Sequence, residues 1–219
     1  VTPRFVHLCV HSEYSLLDGM VRIKSLASAV CEEGMAAVAN TDRSNLFSVV
    51  KFYRAATAAG VKPIIGVDAL VRNADDVNKP YRLLLLVRNR EGYLNLIRLV
   101  SRSYREGQHL GMAMMEREWF KDSSGGLIAI APSHESDVAQ ALLATRADLA
   151  GEFAHEWRNH FPGSYFLGIS RTGRVNEEDA LHLLVDFAQQ QQLPVVAHND
   201  VRFLKQGGFR SARGARLHS

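Results

Sequence analysis

The chain has 219 residues, 47% of them hydrophobic, with a formal charge of +3 and a pI near 9.0. No run of about 18 apolar residues occurs, which argues against a membrane span, the opening VTPRFVHL lacks the apolar stretch of a signal peptide, and two cysteines, Cys9 and Cys31, make no disulfide framework, so the expectation is a reduced, cytoplasmic protein. The basicity is local: Lys205, Arg210, Arg213 and Arg216 lie in a final segment without acids, and without them 22 basic side chains face 23 acidic ones, weak support for nucleic-acid binding by the body of the chain.

Apolar strand-like runs alternate with amphipathic helical runs. In chain order, the pattern predicts a strand at 5–11, a helix at 23–33, a strand at 36–41, a helix at 46–59, and strands at 63–71 and 82–87. A helix at 91–106 and a strand at 127–131 follow, then helices at 136–145 and 149–160, a strand at 165–169, a helix at 177–192 and a strand at 194–198. Gly34, Gly60 and Gly107 stand where helices end. RLLLLV and LPVVAH are near-continuous apolar runs, as in parallel strands covered on both faces. This alternation implies an α/β fold with a parallel sheet and crossover helices. No G-x-G-x-x-G follows the first strand, which weakens a dinucleotide-binding reading. His11, Asp42, Asp68 and Asp200 fall at or just past the ends of predicted strands, the position of active sites in α/β barrels.

Five stretches hold the candidate chemistry. HLCVHSEYSLLDG places Cys9 and His11 two apart, on one face of a strand, with Asp18 in the following loop. VANTDRSNLFSVVKFY contributes Asp42 and Arg43, and GVKPIIGVDALV contributes Asp68. RLLLLVRNREGYLNLIRLVS opens on Arg82, and LPVVAHNDVRFL holds Asn199, Asp200 and Arg202. A thiol, an imidazole and carboxylates placed so resemble the makings of a metal site. Tyr14, Phe52 and Tyr53 read as packing residues rather than a base-stacking platform.

Together these stretches resemble the polymerase and histidinol phosphatase (PHP) domain, in the branch at the N-terminus of bacterial replicative DNA polymerases. The resemblance covers about residues 4–204, with 1–204 read as the PHP domain and 205–219 as a tail that is disordered, or artificial or frameshifted in origin. It implies a seven-stranded (β/α) barrel of distorted TIM-like form. Active members hold up to three zinc or manganese ions through nine ligands for phosphoester hydrolysis. Carried onto this chain, the nine positions are Cys9, His11, Asp18, Arg43, Asp68, Arg82, Ser133 (beside His134), Asp200 and Arg202. Arginine stands at three of them. A guanidinium has no lone pair to give and keeps its proton, so it cannot bind a cation. At about 4 Å two like charges repel by roughly 4 kcal/mol at an effective dielectric near 20.

The resemblance therefore implies a degenerate site without catalytic residues or bound metal. Arg43, Arg82 and Arg202 would pair with Asp18, Asp42, Asp68 and Asp200. The implied role is a structural module that docks the 3′–5′ proofreading exonuclease subunit and supports the rest of the polymerase chain and replicase. It would meet DNA only through the full-length protein, whose magnesium-dependent polymerase site would lie beyond residue 219. The alternative is an active phosphoesterase or 3′–5′ exonuclease, with zinc or manganese held by His11, Asp18, Asp68 and Asp200, and by Cys9 and His134 as further candidates. The tail, GFRSARGAR, departs from the acidic continuation of the family, consistent with a frameshift in a GC-rich gene; a natural arginine-rich arm is the alternative.

Overall fold

The computed structural model describes residues 5–16 and 18–204. The expected tail, 205–219, lies outside them. Two compact units emerge: one contains residues up to Val67 together with those from Asn199, and the other runs from Asp68 to His198.

In the first unit, β1 (Cys9–Val10) pairs in parallel with β10 (Asp200–Val201), Cys9 opposite Asp200. The strand predicted at 5–11 is thus two residues long, but the His11 amide still reaches the Val201 carbonyl at 2.9 Å. β2 (Ala37–Asn40) pairs in parallel with the first half of β3 (Lys62–Val71). Thr41 ties β2 to β1 twice: its amide donates to the Val10 carbonyl, and its hydroxyl accepts from the Val10 amide. Between the strands run α1 (Ile23–Glu32) and α2 (Val49–Ala58). Ile23, Leu26 and Val30 recur at helical spacing on α1 and pack with Val10, Val21, Val38, Phe52, Ala56 and Val61 into one core. Gly34 and Gly60 end the two helices with φ of 68° and 73°, a conformation that side chains with a Cβ rarely adopt.

The second unit holds the remaining half of β3, β4 (Tyr81–Val87), α3 (Arg90–Glu106), β5 (Gln108–His109) and β6 (Met112–Met115). β7 (Leu127–Pro132), α4 (Asp137–Leu143), α5 (Ala147–His160), β8 (Tyr165–Ile169), α6 (Glu177–Gln191) and β9 (Val195–Ala197) follow. Its strands are ordered β5-β6-β3-β4-β7-β8-β9. β7, β8 and β9 are parallel, as expected, but β4 is antiparallel to β7 and β5 to β6. The fully parallel, closed seven-stranded barrel is therefore not observed among the described residues: the sheet has two ends and mixed strand directions. One physical reason is readable in the sequence. Only nine residues without a helix separate β3 from β4, too few for a parallel crossover, which needs a dozen or more.

The predicted helices form within a few residues of their expected bounds. Gly107 ends α3 at φ −104°, so it is not a left-handed cap. Asp68 lies inside β3 rather than at its end, while Asp200 falls just past β9 as expected and opens β10.

Candidate functional site

The predicted site residues fall into two charged sets, each within one unit. In the first unit, Cys9 and His11 are fully buried. Their spacing on β1 puts the Cys9 Sγ 4.0 Å from His11 Nε2, and the β1–β10 register puts it 3.5 Å from Asp200 Oδ1. Asp18 is the centre of the set. Its Oδ1 lies 2.9 Å from His11 Nδ1 and accepts the Ser15 hydroxyl at 2.7 Å. Its Oδ2 faces Arg43 Nη2 at 3.2 Å and accepts a very short hydrogen bond from Arg202 Nη1. Arg202 also holds both oxygens of Asp200, through Nε at 3.1 Å and Nη2 at 2.9 Å. One buried guanidinium thus spans two carboxylates.

Local backbone chemistry fixes this arrangement. Gly19 follows Asp18, and a Cβ there would lie 2.0 Å from the Ser12 carbonyl oxygen, so only glycine lets the loop return so closely. The next amide, of Met20, donates to the Arg202 carbonyl at 3.0 Å. Ser15 binds His11, Asp18 and the amide of Arg43, joining three predicted residues through one hydroxyl that the sequence did not single out.

Asp42 corrects an expectation. It is fully buried, yet its carboxylate is held by neutral donors: the Ser12 amide at 2.6 Å, the Ser12 hydroxyl at 2.9 Å, Asn40 Nδ2 at 2.9 Å and the Ser48 hydroxyl at 2.6 Å. No arginine pairs with it among the described residues. A buried carboxylate needs hydrogen bonds as much as a countercharge. Of the expected packing aromatics, Phe52 is buried, while Tyr53 is 53% exposed and Tyr14 joins its hydroxyl to Lys51.

In the second unit, Asp68 is fully buried on β3 and Arg82, on β4, is 5% exposed. The Arg82 Nε lies 3.1 and 3.0 Å from the two Asp68 oxygens, with Nη2 at 2.8 Å. Its Nη1 makes a very short bond to Glu135 Oε2, which Arg174 Nη1 also reaches at 3.1 Å. Burial alone would raise the Glu135 carboxyl pKa, but the Arg82 and Arg174 charges outweigh it and hold the pKa below its ordinary value. Ser133, another of the nine positions, starts the same turn at φ 41° with its hydroxyl buried and without a hydrogen-bond partner, as is His134 Nδ1.

Arg174 is itself positioned by Glu177, a residue absent from the sequence-derived set. The Glu177 carboxylate accepts the amides of Thr172, Gly173 and Arg174 and the hydroxyls of Ser170 and Thr172, at 2.5–3.2 Å. Burial pushes its pKa up, but the Ser170 hydroxyl and the Thr172 and Arg174 amides together pull it down by more, leaving it at about 2. Glu135, Arg174 and Glu177 escaped the sequence reading because none occupies a metal-ligand position. The one available signal was charge: Arg174 lies in RTGRVNEED, an arginine-containing turn before an acidic helix start.

The fit to metal differs between the sets. Both oxygens of Asp68 face a guanidinium, which leaves no room for a cation between them. In the first unit, ligand atoms of Cys9, His11 and Asp200 lie within 4.8 Å of one another. These three could hold one ion, though only if Arg202 released Asp200. The full nine-ligand set of active members is not accommodated.

Residues 7–172 of this α/β fold match the PHP domain. The chain belongs to the PHP domain family. It is 45% identical over 209 residues to DNA polymerase III subunit alpha of Pseudomonas aeruginosa and 41% identical over 207 residues to that of Escherichia coli. These matches cover 95% and 94% of this chain but only 18% of each relative. Among solved structures, an amidohydrolase of Chromobacterium violaceum superposes with a TM-score of 0.56 at 12% identity, covering 96% of both chains. A candidate metal-dependent phosphoesterase of Bifidobacterium adolescentis gives 0.55 at 10% identity, covering 96% of this chain and 95% of that one. These two likenesses concern the fold alone. No helix among the described residues is long and apolar enough to cross a membrane.

Proposed function

We propose that this chain is the PHP portion of a bacterial replicative polymerase III alpha subunit, and that it works without metal as a structural and protein-interaction module. Its partners in this reading are the proofreading 3′–5′ exonuclease subunit and the remainder of the polymerase chain and replicase. The observation that carries it is the arginine exchange. Arg202 spans Asp18 and Asp200, and Arg82 forks onto Asp68. Each guanidinium supplies the charge that a carboxylate cluster otherwise draws from a metal, without any Lewis acidity. The residues then hold the loop at 18–20 and the β10 segment at 199–202 in place rather than activate water. Metal analysis of the purified chain tests this reading: less than about a tenth of an equivalent of zinc or manganese is expected, and a stoichiometric ion would overturn it. Co-sedimentation with the exonuclease subunit tests the docking role, and separate migration at micromolar concentration would remove it.

A second reading is favoured by the Cys9, His11 and Asp200 triplet. Zinc or manganese held there would supply a hydroxide for phosphoester hydrolysis, and this chain would be a phosphoesterase or exonuclease. Manganese-dependent release of nitrophenol from nitrophenyl phosphate, lost in Asp200→Asn, is the result that would select it.

A further inference from the structure

A cleft of about 350 Å³ opens in the second unit between the end of β3, the start of β4, the turn at 117–122 and α5. Tyr81, which lines it, directly precedes Arg82 on β4. Successive strand side chains point to opposite faces, so the cleft is separate from the Arg82 and Asp68 pair. Its volume lies at the lower end of the range for small-ligand pockets, about 300–1,000 Å³. The charge around it is unbalanced. The Arg117 guanidinium lies 4.3 Å from the centre of the Phe153 ring and 4.9 Å from that of Trp157, and Asp137 neutralises it through a 2.6 Å pair. Arg72 is taken by Glu116 at 2.5 Å, and Arg146 faces Asp75 at 3.6 Å. Two lining acids are left over. The Glu118 carboxylate makes no hydrogen bond or ion pair among the described residues, and Glu156 meets Arg117 at 3.4 Å and the His160 ring at 3.8 Å. Counting Asp137, five acids stand against three arginines. Tyr81 is an independent sign. It is 9% exposed, and its hydroxyl has no hydrogen-bond partner among the described residues. Burial, followed by the Asp137 and Asp75 charges, raises its pKa, so the hydroxyl stays neutral and has lone pairs to offer. A buried polar group left so is costly until something satisfies it.

We propose that this cleft binds a guanidinium group, as carried by arginine, either free or within a polypeptide. Glu118 and Glu156 receive its forked N–H groups. The Tyr81 hydroxyl accepts a further one, and the alkyl stem lies along Leu149 and Phe153, as the stems of long cationic side chains do on apolar surface. The surplus of acids disfavours an anion. A lysine ammonium supplies the charge without the planar fork and is the weaker ligand. The site needs no metal, and it is independent of the exonuclease-docking reading, which stands or falls by co-sedimentation.

Titration of the 219-residue chain with N-acetyl-arginine amide, with free arginine and with N-acetyl-lysine amide, followed by the amide chemical shifts of Asn73, Tyr81 and Glu118, tests the proposal. Saturable binding of an arginine ligand is expected. Glu118→Gln should weaken it about tenfold and Tyr81→Phe about fivefold, the scale of hydrogen bonds to a charged group. The lysine amide should bind about tenfold more weakly than its arginine counterpart. Binding of the acetylated amide alone assigns the site to arginine within a polypeptide, binding of free arginine alone assigns it to the amino acid, and binding of both shows that the side chain is read whatever carries it. No saturation by either arginine ligand at about 20 mM overturns the proposal. So does affinity indifferent to both substitutions, and so does a lysine amide that binds as tightly as the arginine amide. Should Tyr81→Phe fail to fold, the exposed Glu118→Gln decides alone.

Discussion

The two charged sets differ in what stands beside their acids. In the second unit, Asp68, Arg82, Glu135 and Arg174 alternate in sign. In the first, Asp18 and Asp200 share Arg202 while Cys9 and His11 stay beside them. An arginine fork meets both oxygens of Asp68, whereas Cys9 and His11 stand beside Asp200. Burial sharpens the contrast: Asp68 is fully buried against the Arg82 fork, whereas Asp18 is served by two arginines and a histidine.

The largest expected effect follows from that difference. Arg82→Ala strands the Asp68 carboxylate in the interior and should cost about 3–5 kcal/mol, read as a lower urea midpoint; a loss below about 1 kcal/mol would mean that water reaches Asp68. Arg202→Ala should cost somewhat less, about 2–4 kcal/mol, because Asp18 retains His11 and Arg43. It should also separate the two sets chemically. Added zinc should raise the melting temperature of Arg202→Ala through Cys9, His11 and Asp200, and should leave that of Arg82→Ala unchanged. Equal zinc response in both variants would erase the distinction.

Next comes Glu177, which holds the Arg174 loop. Its folded pKa, about 2, lies below the ordinary 4.5. A depressed carboxyl pKa contributes stability that is fully present above the unfolded value and is lost as pH falls through the folded one. Glu177→Gln should therefore lower stability at pH 7 by about 2 kcal/mol, less than the full shift would give because solvent screens part of it, and should flatten the acid limb between pH 4.5 and 2. An unchanged limb would show that other carboxylates produce it. The Glu135 pKa is depressed too, so its contribution fades in the same direction, with falling pH. The smallest effect is expected at Arg43, a quarter exposed at a 3.2 Å pair with Asp18. Arg43→Ala should cost about 0.5–1 kcal/mol, and a loss as large as that of Arg202→Ala would place Arg43 deeper in the network than its exposure indicates.

Much of this was legible in the residues. The helices α1, α3 and α6 follow from apolar spacing, and the strands β3, β4, β7 and β8 from apolar runs. Cys9 and His11 face the same way because strand side chains alternate. That Arg82 and Arg202 would pair with acids of this set followed from charge and family position together; which acid each one takes did not. The neutral cage around Asp42 did not, because serine and asparagine are common and only their convergence from positions 12, 40 and 48 makes them a binding set.

The sequence by itself determined the local periods, the turn glycines and the permanent charge of Arg43, Arg82 and Arg202, since these depend on single residues and near neighbours. Tertiary structure alone decided the strand directions, which carboxylate each arginine serves, and the recruitment of Glu135, Arg174 and Glu177. Those depend on distances between segments far apart in the chain, 184 residues for Arg202 and Asp18, and a hydrogen bond acts only within about 3 Å, whatever the separation along the chain.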